Sequence, residues 1–191
     1  MLNKQEFRKI KKEIENFDTK REKLIRKSRE IIKLSKQIIY SLHRSDKKKA
    51  STLVAQIKNK KNELDKISKT RLDTDMDKVA LREYVEALCY YEFLKNKKIP
   101  TKKSLKVDTE YYLLGLCDLT GELVRKAIAD IINKRFKDAL IIKNLVDEIY
   151  GEFLLFDLRN SELRKKSDSI KWNLKKLEDV IFDAKIKGKV K

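Results

Sequence analysis

Four acidic residues stand where apolar ones are expected. In "REYVEA", Glu83 and Glu86 fall on the same stripe as Met76, Val79, Tyr90 and Phe93, at spacings of three and four that line one helix face. In "CDLTGELVR", Asp118 and Glu122 lie one turn apart inside a segment whose Leu113, Leu114, Leu116, Leu119, Leu123, Val124 and Ile128 cover most of a helix circumference. Carboxylates gathered in a low-dielectric interior repel one another and lose hydration, so some stay protonated unless positive charge joins them. A hard divalent cation meets that need through carboxylate and water oxygens, and it can acidify a water or clamp the oxygens of a phosphodiester. Bundle helices are an established scaffold for such inward carboxylates. Ion pairs of Glu122 with Arg125 or Lys126, and of Glu83 with Arg82, explain the same spacing without a metal.

Other chemistries are poorly supplied. One histidine, His43, and two cysteines, Cys89 and Cys117, fall short of a four-ligand zinc site, and the thiols sit inside helical patterns as reduced core residues do. "LTGELVRK" lacks the GxxxxGK of a phosphate loop, and no nucleophile motif accompanies His43. Basic residues do recur at useful spacing. Arg29, Lys36 and His43 are seven apart on the first helix, with Arg44 beside them; Arg125 borders the acidic face, and Arg164 and Lys165 open a lysine-rich final segment. These could meet phosphates or simply water. Trp172 and Phe182 are expected in the core, with stacking on bases as the alternative.

These residues need helices to position them. Phe7, Ile10, Ile14, Phe17, Leu24, Ile31, Ile38 and Leu42 form one stripe, predicting a first helix to about His43. Ser45 or Asp46 caps a second, more polar helix through Ile67, and Asp73, Thr74 and Asp75 open a third that runs to Lys95. "KNKKIPTKKSLKVD", with Pro100 and six lysines, reads as a loop without a helical apolar face. Further helices are expected at about 109–132, 134–157 and 161–187, the last capped within "LRNSEL". The fold class is therefore all-α, one domain over 1–191, an antiparallel bundle of six to seven helices.

Composition bounds the partners. The 191 residues carry 48 Lys plus Arg against 30 Asp plus Glu, a charge of +18, which favours polyanions such as nucleic acid or an acidic membrane surface. No apolar run approaches the roughly 20 residues that span a bilayer, and the N-terminus lacks an apolar signal core, so a cytoplasmic protein is expected.

Three segments, "EKLIRKSREIIKLSKQIIYSLHR", "REYVEALCYYEFL" and "EYYLLGLCDLTGELVRKAI", together and in order resemble the translin superfamily, most closely its translin-associated factor X branch. The final segment is more similar to translin's own C-terminus. The mixture looks like a single-type archaeal homologue that assembles with itself. The resemblance implies an α-helical protomer, a hollow and roughly octameric homo-oligomer, and a Mg²⁺-dependent endoribonuclease acting on single-stranded RNA, with Mn²⁺ as a possible substitute ion. It assigns Glu83, Glu86, Asp118 and Glu122 the catalytic, metal-holding role and favours them over structural ion pairs. It also raises Arg29, Lys36, His43 and Arg44 above an anonymous basic face. The alternative is a shell that binds single-stranded RNA or DNA without cutting it, for which the charge would suffice. Gly121, within the acidic helix, is read as a point of close approach for a neighbouring helix or RNA backbone.

Overall fold

The computed structural model describes residues 2–67, 74–159 and 161–186, which form seven helices and no strand. They are α1 (Lys4–His43), α2 (Lys47–Ile67), α3 (Met76–Asn96), α4 (Lys102–Leu105), α5 (Thr109–Ile132), α6 (Phe136–Leu154) and α7 (Glu162–Ile186). No described helix is long and apolar enough to cross a membrane.

The direction of each helix follows from which residues meet. Lys27 pairs with Glu63 and Lys60 with Glu30, so α2 returns antiparallel along α1 after a three-residue turn. Asp46 caps that turn, its Oδ1 accepting from the Lys49 amide at 3.0 Å. His43 meets Tyr90, Arg82 meets Asp118, and Lys166 meets Asp118 while Asn173 meets Thr120. Later residues of one helix thus meet later residues of the next, so α1, α3, α5 and α7 run the same way. The core is one continuous layer between them, including the fully buried Leu24, Ile31, Leu88, Leu119, Leu123 and Leu177.

Four expectations need correction. The apolar stripe of α1 is buried only from Leu24 onward; Phe7, Ile10, Ile14 and Phe17 are exposed, because the 21 residues of α2 cannot cover a helix of 40. The lysine-rich connection carries the short helix α4, capped by Thr101, whose Oγ1 accepts from the Ser104 amide at 3.2 Å. It packs back along α2 and α3, with Leu105 buried and Lys61 Nζ donating to the Lys106 carbonyl at 2.5 Å. That return allows α5 to start at the same end as α3. The sixth helix is shorter than 134–157, since Lys134 has φ 60° and only Phe136 resumes helical geometry. Trp172 and Phe182 are exposed, at 66% and 61%, and do not join the core. The reason is angular: α7 buries Leu163, Ile170, Leu174, Leu177 and Ile181, and at 100° per residue Trp172 lies across the helix from that stripe while Phe182 is turned about 100° away from Ile181. The expected cap residue Asp73 lies outside the described residues; Thr74 Oγ1 accepts from the Met76 amide at 3.2 Å.

Candidate functional site

The approach of α3 and α5 is set by a glycine. A Cβ on Gly115 would lie 2.6 Å from Val85 Cβ and 2.9 Å from the Arg82 carbonyl, so only glycine lets the helices touch here. The acids flank this contact: Glu83 and Glu86 directly follow Arg82 and Val85 on α3, and Asp118 and Glu122 lie one and two turns beyond Gly115 on α5. Gly121 has the opposite character, its nearest neighbour being Asn173 Nδ2 at 3.9 Å, so no neighbouring helix makes the expected close approach at that position.

Each carboxylate has a different environment. Glu86 is buried and has no hydrogen-bond or ion-pair partner among the described residues. Burial first, then the charges of Asp118, Glu83 and Glu122, push its carboxyl up to about 8. Glu83 is partly buried and is also raised, by desolvation above all, against the pull of Lys36 and Arg82. Asp118 is held by Lys166 through Oδ1 and sits 3.1 Å from Arg82 Nε through Oδ2, an ion pair without hydrogen-bond alignment. Arg82 also reaches Glu162 at 2.7 Å. Glu122 Oε2 bonds His43 Nε2, which keeps this carboxyl below the usual range, and Arg125 is a looser neighbour at 3.8 Å.

The His43 tautomer follows from its two partners. Glu122 is ionised and can only accept, so Nε2 carries a hydrogen. Tyr90 Oη lies 3.3 Å from Nδ1, and burial raises the phenol so that it stays protonated and can donate to that nitrogen. A short chain of hydrogen bonds thus links α3, α1 and α5 through a His43 side chain only 9% exposed.

The basic residues expected from the sequence divide into two groups. Lys36 and His43 face the acids, through charge on Glu83 and through the bond to Glu122 respectively. Arg29, Arg44, Arg125, Arg164 and Lys165 are exposed; Arg44 lies over the Tyr40 ring at 5.6 Å and Arg164 is 3.8 Å from Asp168. The site also contains Lys166 and Tyr90, which the sequence did not assign to it, and Arg82, which was expected as a partner of Glu83 and is found on Asp118 and Glu162 instead. Lys166 left a signal, since it falls between Leu163 and Ile170 on the buried stripe of α7. Lys126, a proposed partner for Glu122, instead pairs with the buried Asp130. Cys89 and Cys117 are buried thiols pushed up to about 12 and take no part.

A cation fits this donor set in type. Four carboxylates on two helices offer only hard oxygen donors, and Glu86 is the kind of buried acid whose ionisation an incoming cation would favour. Among the described residues, no three His, Cys, Asp or Glu side chains already share ligating distance. Asp118 is turned to Lys166 and Arg82, and Glu122 to His43, instead.

The profile of the Translin family matches residues 19–188. The chain belongs to the Translin family. Translin of Gallus gallus is 33% identical over 87 residues, which make up 46% of this chain and 38% of that protein. The chain thus spans well under half the length of the Translin relatives it matches. An uncharacterized protein of Methanocaldococcus jannaschii is 32% identical over 163 residues, covering 80% of this chain and 71% of that one. Translin-associated protein X of Rattus norvegicus is 23% identical, covering 95% and 78%. Among solved structures, apo-NeC3PO superposes with a TM-score of 0.88 at 31% identity, over 95% of this chain and 97% of that one. A duplex RNA complex of AfC3PO gives 0.85 at 23% identity over the same shares, a likeness of fold. The all-α, translin-like fold expected from the sequence is therefore the fold of this family.

Proposed function

We propose that the chain is a metal-dependent endoribonuclease acting on single-stranded RNA within a homo-oligomer. The observation that carries the reading is the meeting of Glu83, Glu86, Asp118 and Glu122 across the α3–α5 contact, with Glu86 left without a cation of its own. These four carboxylates would hold Mg²⁺, or Mn²⁺ in its place, which when bound supplies positive charge for a phosphate and a more acidic water. Around them, the chain's own groups have separable tasks. His43, fixed by Tyr90, orients the Glu122 carboxylate and carries a proton at Nε2 that faces Oε2. Arg82 and Lys166 neutralise Asp118 and are placed to meet phosphate oxygens once that carboxylate has another partner. Lys36, on the exposed side of α1 next to Glu83, continues the positive path outward. A flexible single strand can bring its phosphodiester into such a cleft more readily than a stiff duplex.

Two exposed apolar stripes support self-association. Phe7, Ile10, Ile14 and Phe17 line the projecting part of α1, and Trp172, Phe182 and Ile186 line the outer face of α7. A second copy would cover them, and the octamer that the resemblance implies is the expected assembly.

A second reading has its own support. Because Asp118 is already neutralised by Lys166 and Arg82, and Glu122 already accepts a hydrogen bond from His43, a shell that binds single-stranded RNA or DNA without cutting is consistent with the same side chains. Incubating labelled single-stranded RNA with the protein in Mg²⁺ and in EDTA separates the two. Cutting that EDTA abolishes supports the nuclease; retention of the strand without cutting in either condition supports the shell.

A further inference from the structure

We propose that a second site, at the pole of the bundle where α1, α3 and α5 end and α2 and α6 begin, binds a free nucleoside phosphate. A cavity of about 700 Å³ opens there, within the ~300–1,000 Å³ typical of small-molecule pockets. It is separate from the acidic centre. His43 and Tyr90 face the acids, whereas their chain neighbours Leu42 and Tyr91 line this pocket, about 100° around the same helices.

The lining is two-sided. Leu42, Tyr91, Leu94 and Ile142 make apolar walls, and Lys47, Lys48, Lys95, Lys97, Lys126 and Arg135 surround them. Among the described residues lining it, Asp130 and Asp138 are the acids, so six cations face two carboxylates. Asp130 is fully buried and already used: it holds Lys126, and Arg135 donates to its Oδ1 from Nε at 2.8 Å and from a terminal nitrogen at 2.5 Å. Its role is to pin two of the cations in place. Lys95 is likewise seated over the Tyr91 ring, 5.6 Å from its centroid.

The start of α2 adds to the positive potential. Lys47, Lys48 and Lys49 open the helix, and the one acid set against these three cations is the cap Asp46, whose Oδ1 is taken up by the Lys49 amide; the first turn itself has none, so the excess charge at this helix N-terminus is positive. An anion in the adjoining cavity relieves this repulsion. A bare phosphate would leave most of the space and the apolar walls unfilled. A nucleoside phosphate places its ring against Leu42, Leu94 and Ile142 and its phosphates among the lysines.

Calorimetric titration with ADP in EDTA tests the assignment, the chelator keeping any metal-dependent binding at the acidic centre out of the readout. The expected result is one ADP per chain. Lys48→Glu/Lys97→Glu, both exposed positions, should weaken binding at least about tenfold, the effect of losing charge-assisted contacts. Lys9→Glu/Lys12→Glu, the same charge change on the far part of α1, should stay within about twofold. Three results overturn the proposal: no binding at about 1 mM ADP, equal weakening by both double variants, or pyrophosphate binding as tightly as ADP.

Discussion

Glu86 makes the acidic centre measurable without any substrate. Its carboxyl is raised from an ordinary 4.5 to about 8 by burial and by its three acidic neighbours. Below pH 4.5 it is protonated whether the chain is folded or not, and it contributes no pH dependence. Between pH 4.5 and about 8 the unfolded chain releases this proton while the folded chain keeps it, so stability falls as pH rises; above about 8 both forms are ionised and the loss levels off. At about 1.4 kcal/mol per pH unit the full span corresponds to roughly 4–5 kcal/mol, an upper bound because local relaxation and water reduce it. Glu86→Gln removes the titrating group and keeps the shape. Urea denaturation of both proteins in EDTA, at fixed protein concentration from pH 5 to pH 8, should therefore show the variant gaining on the parent by a few kcal/mol across that range. Adding Mg²⁺ at pH 8 should narrow the gap by stabilising the parent, by about 2.7 kcal/mol at a hundred times its dissociation constant, and leave the variant nearly unmoved. Parallel stability curves for the two proteins, with or without Mg²⁺, would refute the picture of a buried acid awaiting a cation.

Other perturbations probe the parts that position or surround this centre. Gly115→Ala should destabilise by about 1–3 kcal/mol, since its methyl group would meet Val85 at 2.6 Å, whereas Gly121→Ala, with room to spare, should stabilise by up to about 1 kcal/mol; thermal melts that rank the two the other way would show that the crossing has been misread. Asp130→Asn should cost about 2–3 kcal/mol in chemical denaturation, less than a deeply buried pair, because Lys126 and Arg135 keep 17% and 48% exposure and can rehydrate. Ile14→Glu, on the exposed stripe of α1, should lower the mass seen by light scattering without shifting the unfolding of the bundle, and an unchanged mass would remove that stripe from the assembly interface.

Much of the helical order was legible because each signal was local. The bounds of α5, expected at about 109–132 from its apolar period, are those observed, and the end of α1 follows from the turn that Ser45 and Asp46 mark. The four acids were visible as interruptions of apolar stripes, which depends only on helical period. What escaped depends on contacts between distant residues. The helix α4 exists because Leu105 finds a core position, and the stripe of α1 stops being core where α2 ends. Arg82, Lys166 and Tyr90 join the acids only because α3, α5 and α7 run the same way and Gly115 lets two of them touch. The sequence around Trp172 offered both a core and an outward reading, and the phase of Ile170, Leu174 and Leu177 decides for the outward one.

The central claim, that these carboxylates do chemistry and not merely hold the fold, is tested most directly by measuring strand affinity and cleavage on the same Glu86→Gln protein. With labelled single-stranded RNA in Mg²⁺, the account predicts an affinity within about twofold of the parent, since backbone charge dominates binding, and a cleavage rate lower by about a hundredfold or more. A variant that binds and cuts like its parent would contradict it.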